Sequence, residues 1–308
     1  MQYRHLYYFV KIVEAGSFSQ AARTIHVAQP ALSQQIAELE ASLGMPLLQR
    51  SARGVRPTVA GEKLYEEASS ILRQLDNLPG LIRSSTGEIQ GTVSVGMPAS
   101  LSTTLVGPFI ETCRKAYPKV TLKFVDGDSE FLREEVEKGR LDLALAYEDE
   151  FFPVVLRQPL FRQNHYLISS KLSAPTAGSI ISLREVAKIP LVLPGPLNAR
   201  RMVIDRTFAE AGLSLNLAAE AVTVSSELSA VRSGAGSTIL NLGDMSGFSL
   251  DDFAEPRLIE PTFYLTCCII WSSEFPLTLA AEGVKKVLID FLKDSIHKTK
   301  RPGASWLD

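Results

Sequence analysis

Ser17-Phe18-Ser19-Gln20-Ala21-Ala22-Arg23-Thr24-Ile25-His26-Val27-Ala28-Gln29-Pro30-Ala31-Leu32-Ser33-Gln34-Gln35-Ile36 decides how the first part of this chain folds. The stretch predicts two short helices with a tight connection. Ser17 followed three residues later by Gln20 fits a capping box at a helix start. Pro30 stands where a second helix begins, and proline is tolerated in a first turn. Leu32, Ile36, Leu39 and Leu43 recur at steps of four, three and four, which predicts one buried face. The opposite face carries Gln29, Ser33 and Gln34, which are polar and uncharged. A buried helix with such a face, just after a short helix, is what a helix-turn-helix requires.

Two amphipathic helices joined by a turn occur in many folds, so the surroundings matter. Leu6, Phe9, Val10 and Val13 predict an earlier helix that completes a three-helix core. Downstream, Pro46-Leu47-Leu48-Gln49-Arg50-Ser51-Ala52-Arg53-Gly54-Val55-Arg56-Pro57-Thr58 reads as a two-stranded wing with Arg53-Gly54 at its tip. That hairpin is expected to bring Arg50, Arg53 and Arg56 close together.

On these residues the chain resembles the LysR-type transcriptional regulators. The matching run is Phe9-Val10, Gly16 to Ala22, Ala28 to Ser33, Ile36, Leu39-Glu40, Leu43-Gly44, Leu47-Leu48, Arg50, Pro57-Thr58 and Ala60-Gly61. Gln29 to Ile36 with Gln34-Gln35, Arg53-Gly54-Val55, Leu64-Tyr65 and Ile71-Leu72-Arg73-Gln74 are most similar to the nitrogen assimilation control branch. Length and domain order extend the likeness over nearly the whole chain. The resemblance implies double-stranded DNA as a partner, a homodimer or homotetramer, RNA polymerase as a further partner, and control by a small molecule. It puts the helix from Pro30 to Leu43 in the major groove, with Gln29, Ser33 and Gln34 on base edges; glutamine pairs bidentately with adenine. Many relatives carry arginine where Gln34 stands. Arg50, Arg53 and Arg56 would then hold phosphates or probe the minor groove.

The charge distribution agrees. The net charge of the 308 residues is −2. Residues 1–58 hold six basic side chains against three acidic ones, a local +3, so residues 59–308 carry −5. A small basic reader on an acidic body has this asymmetry. Apolar content of 45% with 21% charged residues suits a globular protein. No apolar run suggests a membrane span and no signal peptide is evident, which points to the cytoplasm. Cys113, Cys267 and Cys268 show no metal or disulfide spacing, and the four histidines are scattered, so neither a metal site nor a cofactor is expected.

Residues 1–58 are read as the winged helix-turn-helix, 59–89 as a linker helix for dimerisation, 90–300 as a two-lobed effector domain and 301–308 as a fraying tail. The fold class is thus α/β with an all-α winged helix-turn-helix at the N-terminus. In the linker, Leu64, Ala68, Ile71, Leu75, Leu78 and Ile82 alternate in steps of four and three, the spacing of a coiled-coil seam. Pro79-Gly80 interrupts it, predicting a kink or an early stop near Leu75 to Leu78. Gly87 to Gly91 reads as a hinge. Beyond it, short strands alternate with helices, which predicts a parallel sheet with helices on both faces. Lobe I is expected at 90–162 and 266–300 and lobe II at 163–265, a pair resembling periplasmic binding proteins.

Open α/β sheets bind ligands beyond the carboxyl ends of their strands, at helix starts. Ser100, Ser102 and Ser129 from lobe I, and Pro196, Asn198 and Arg200 from lobe II, are therefore the candidate effector residues, for a small anionic or polar metabolite. Serines cap helices in many folds without binding anything. Tyr147 stands where some aromatic-acid-responsive relatives have arginine, which argues against an aromatic dicarboxylate. A solute-binding protein would share the cleft but lack the reader, and a regulator controlled by its own abundance would need no effector. Gly234-Ala235-Gly236 follows a helix and precedes a strand, the wrong order for a dinucleotide loop, and no catalytic motif is present.

Overall fold

A computed structural model describes residues 1–51, 54–84, 89–147, 155–172, 178–245, 248–299 and 303–307. The chain divides into two compact units, Met1–Gly87 with Lys138–Arg140, and Glu88–Glu137 with Leu141–Asp308.

In the first unit, α1 (Tyr3–Ala15), α2 (Phe18–Thr24) and α3 (Gln29–Leu43) precede a hairpin of β1 (Leu48–Ser51) and β2 (Gly54–Pro57), then α4 (Val59–Ser84). Phe9, Ile12, Leu32, Ile36 and Leu39 are fully buried at the centre. Each such side chain contributes roughly 1.5–3 kcal/mol of burial. Leu43 does not join them: Gly44 ends α3 in the left-handed conformation and leaves Leu43 37% exposed. Ser17 caps α2 by accepting from Gln20 N. The wing is anchored at Gly16, whose carbonyl accepts from Val55 N at 2.8 Å. A Cβ on Gly54 would lie 2.7 Å from that same oxygen, at a φ of +115° that disfavours any side chain.

The expected break in the linker is absent. α4 runs through Pro79 to Ser84. The carbonyl that proline deprives of its donor belongs to Leu75, and both residues are exposed, so water can supply the missing bond. Gly87, in the expected hinge, lies outside the described residues.

The second unit contains, in chain order, β3 (Gly91–Pro98), α5 (Ala99–Ala116), β4 (Val120–Gly127), α6 (Ser129–Glu137), β5 (Leu143–Tyr147), β6 (Val155–Asn164), β7 (Tyr166–Ile168), β8 (Ile180–Ser182), α7 (Leu183–Val186), β9 (Leu191–Leu193), α8 (Ala199–Glu210), β10 (Leu217–Glu220), α9 (Val224–Arg232), β11 (Thr238–Leu240), β12 (Arg257–Glu260), β13 (Tyr264–Ser272), α10 (Leu279–Thr299) and β14 (Ala304–Trp306). One sheet has the order β14-β6-β13-β5-β3-β4. It is mixed rather than parallel: β3 is parallel to β4 and β5, while β13 is antiparallel to both β5 and β6. The reason is topological. β6 leaves the lobe and β13 returns to it, so the two run in opposite directions. The second lobe holds β11-β7-β12-β8 and the parallel pair β10-β9, which a bridge from Leu191 to Ser237 connects to the start of β11.

β6 was not anticipated, because Pro159 and the polar residues around it break any two-residue alternation. Nor does the tail fray throughout. Gly303 turns the chain back and its carbonyl accepts from Asn164 N at 2.8 Å. β14 then pairs with β6, and Leu307 N donates to the Leu160 carbonyl. The Lys293 ammonium lies 5.8 Å from the Trp306 ring centroid.

Deleting residues 303–308 is expected to cost about 2–4 kcal/mol, from lost strand bonds and Trp306 burial, and to expose the β6 edge to self-association. Calorimetry and light scattering check this; unchanged melting and monodispersity would show that β14 contributes nothing.

Candidate functional site

Two sites emerge, one in each unit. In the first, Gln29, Pro30 and Gln34 are exposed on α3 and Ser33 is half-buried. Their helix is fixed from behind by Leu32, Ile36 and Leu39. Pro30 lies in the first turn after the cap residue Ala28. Gln29 Oε1 accepts from Ser19 Oγ at 2.9 Å, and Gln34 Nε2 donates to Glu38 Oε1 at 3.0 Å. These contacts orient both amides without burying them. Ser19, Arg23 and His26 join Gln29 around one shallow surface depression. Sequence reading had overlooked these three as site residues; their place on the exposed side of α2 and in the turn was the available signal.

Arg50 and Arg56 do not lie together. In the hairpin register Arg50 pairs with Val55, and Arg56 with Gln49. Paired residues share a face of the ribbon, so Arg50 and Arg56 emerge on opposite faces. The Arg50 guanidinium stacks over the Phe18 ring at 4.2 Å, whereas Arg56 is exposed. Arg53 lies outside the described residues. Glu40 accepts from Leu47 N and Leu48 N at 2.7 and 3.1 Å, and so ties α3 to the start of the wing.

The linker seam also divides. Ala68 is fully buried in the core of its own unit and is closed to a second subunit, while Leu64 packs partly against that core. Ile71, Leu75, Leu78 and Ile82 are exposed, on one stripe of α4.

In the second unit, a cavity of about 550 Å³ is lined from both lobes. The starts of α5, α6, α8 and α9 all reach it. Ser100, Ser129, Asn198 and Arg200 line it; Ser102 and Pro196 do not. Ser102 sits within the first turn of α5, where its hydroxyl donates back to the Ala99 carbonyl. Ser129 Oγ accepts from Tyr147 N, and the Tyr147 hydroxyl donates to Gln163. Asn198 caps α8 by accepting from Arg200 N.

Arg200 is not an available anion receptor. Its guanidinium donates to the Ile239 carbonyl at 2.9 Å and to Glu227, which is fully buried and also accepts from Thr238 Oγ1 at 2.7 Å. Burial raises the Glu227 carboxyl above its ordinary value and the Arg200 charge opposes this. Removing either partner would leave a buried group uncompensated, at about 3–5 kcal/mol. Asp126, Asp128 and Asp244 also line the cavity; the sequence singles out the stretch Asp126 to Ser129 at the end of the second strand but nominates only its serine.

Behind the cleft, His165 stacks on Phe263 with ring centroids 5.2 Å apart and planes within 8°. Burial, with the Arg200 charge adding, pushes His165 down to about 3. The three cysteines are buried in hydrophobic cores, as packing residues would be. Among the described residues no His, Cys, Asp or Glu group could hold a metal, and no helix is long and apolar enough to cross a membrane.

Comparison with known proteins gives two family matches. Residues 3–62 match the bacterial regulatory helix-turn-helix protein, lysR family, and residues 86–294 match the LysR substrate binding domain. The chain is 32% identical to the nitrogen assimilation regulatory protein nac of Klebsiella aerogenes over 296 residues, 95% of each chain. It is 29% identical to the nac protein of Escherichia coli strain K12, covering 98% of each. Among solved structures, full-length CbnR complexed with its target DNA has a TM-score of 0.70 at 22% identity, over 93% of this chain and all of that one. Full-length BenM has a TM-score of 0.59 at 23% identity, over 98% and 99%. These structural likenesses speak to the fold.

The depressed His165 value has a consequence for stability. The unfolded chain takes up a proton near pH 6.5 that the folded chain refuses until about 3. The neutral ring therefore supports the fold above pH 6.5, and that support is lost as pH falls toward 3, at up to about 1.4 kcal/mol per pH unit. His165→Phe, which keeps a ring against Phe263, should flatten the loss in denaturant melts across this window. Parallel pH profiles for the two proteins would exclude His165 as the source.

Proposed function

We propose, for a chain that belongs to the LysR family of DNA-binding transcriptional regulators, that α3 reads the operator in the major groove through Gln29, Ser33 and Gln34. Pro30 sets the start of that helix against the DNA. The observation that carries this is the polar stretch at the start of α3, with Gln29 and Gln34 exposed, backed by the fully buried Leu32 and Leu39. Glutamine amides offer a donor and an acceptor together, the pairing adenine presents. Arg56, Arg50 and Arg53 add phosphate contacts from the wing, and Arg23 adds another from α2.

The working division is a DNA reader at 1–58, a linker at 59–89 and an effector domain at 90–300. A small polar effector in the cleft biases the two lobes toward one arrangement, by no more than its difference in affinity for the two. The homodimer forms through the exposed stripe of α4, with a tetramer as its further assembly. At the promoter the protein acts on RNA polymerase, in the cytoplasm and without catalysis of its own. The likeness to the nac proteins makes genes of nitrogen assimilation the first targets to examine by genome-wide footprinting.

Gln29→Ala and Gln34→Ala should each lose about 1–3 kcal/mol at the preferred operator with little loss on random DNA. Arg56→Ala should weaken both and lower the salt slope by about one unit. Equal losses on operator and random DNA in the glutamine variants would show that α3 carries no sequence information. Leu75→Glu with Leu78→Glu should dissociate the oligomer in analytical ultracentrifugation; an unchanged sedimentation coefficient would move the interface elsewhere.

A further inference from the structure

We propose that the cleft takes a zwitterionic amino compound, an α-amino acid or close derivative, rather than a dicarboxylate. This rests on the reading of the cavity as the effector site, for which the substrate-binding family match over residues 86–294 is the independent support. The charge around the cavity decides the class. Four carboxylates line it against one guanidinium, with no lysine among the described lining residues. The guanidinium of Arg200 is spent on Glu227 and on the Ile239 carbonyl. Asp126 and Asp128 remain, beside an Asp244 that accepts from Asn241 Nδ2, so the cleft presents a negative field. A dianion would enter against that field and an ammonium would be drawn by it.

The helix starts divide in the same sense. Asp128 accepts from Phe131 N at the start of α6, Asn198 caps α8 and Thr223 caps α9. α5 begins after Pro98 with no side-chain cap. Its first-turn N–H groups, beside the Ser100 hydroxyl, are what a single carboxylate would meet. One donor surface for a single carboxylate and a set of carboxylates on the same cavity fit a ligand with one charge of each sign. The volume of about 550 Å³ accommodates a molecule of that size with water around it.

Calorimetric titration of the full chain at low ionic strength, with each common amino acid and with succinate, 2-oxoglutarate and putrescine as contrasts, tests this. At least one amino acid should bind, and the dicarboxylates should not. Asp126→Asn should weaken that binding about tenfold or more. Asp128→Asn should do likewise, since asparagine keeps an oxygen for Phe131 N and so preserves the helix cap. Ser100→Val should weaken it from the carboxylate end. Each variant's melting temperature without ligand separates misfolding from lost binding. Dicarboxylates binding more tightly than any amino acid, and tighter still in Asp126→Asn, would overturn the charge assignment while leaving the cleft a ligand site. Putrescine binding in place of amino acids would overturn the carboxylate half of the assignment. No binding by any probe, with Ser100→Val and Asp126→Asn regulating as the parent does, would remove both this proposal and the cleft as an effector site.

Discussion

The effector unit depends on one antiparallel pairing. β6 carries the chain out of the first lobe, β13 brings it back, and the two pair from Ser272 opposite Val155 to Tyr264 opposite Asn164. The crossover residues follow at once on that pairing: His165 comes directly after β6 and Phe263 directly before β13, and their rings stack. Everything in the second lobe hangs from these two points. β14 adds a third strand along the outer edge of β6, so the crossover is stiffened from both sides. The cavity lies between lobes joined at this narrow connection. Such a connection permits rotation about itself more readily than any change within the packed sheets.

The DNA-reading unit solves a different problem, which is to present polar groups rigidly. An exposed glutamine has many rotamers, and fixing one costs entropy. Here the Ser19 and Glu38 side chains already hold Gln29 and Gln34, so part of that cost is met before DNA arrives. The wing is positioned by two short ties. Gly16 accepts the Val55 amide, and Glu40 accepts the amides of Leu47 and Leu48. One tie reaches the end of α1 and the other reaches α3 itself, so the start and the return strand of the wing are each held to the helical core.

How much could be read from sequence alone follows the range of the forces involved. Helix limits in the reader come from local rules such as capping, proline in a first turn and apolar periodicity, and they were legible within a residue or two. The strands Leu191–Leu193 and Thr238–Leu240 were legible for the same reason, being short unbroken apolar runs. β6 and β14 were not, since each owes its existence to a partner far away in the chain. The same holds for the site. That Ser129, Asn198 and Ser100 line the cavity was legible from the strand ends. That Arg200 is consumed by Glu227 was hidden, because 27 positions separate them and both look like surface residues in isolation. Ala68 misled in the opposite sense: its heptad position is shared with Leu75 and Ile82, yet its small side chain faces the core of its own unit.

The Arg200–Glu227 pair carries the last step. A buried ion pair seldom adds much stability compared with apolar residues of the same shape, because desolvation consumes most of the attraction. Its presence here has another effect. It closes the start of α8 to outside anions while tying α8, α9 and β11 together through Glu227, Thr238 and the Ile239 carbonyl. The second lobe therefore enters the cleft as a preformed, electrically quiet wall. The charges left to discriminate between ligands belong mainly to the first lobe, at Asp126 and Asp128, while Asp244 of the second accepts from Asn241. A ligand that pairs with Asp126 or Asp128 and also touches the second lobe would gain contacts only when the lobes approach. That difference between open and closed forms is what a switch requires.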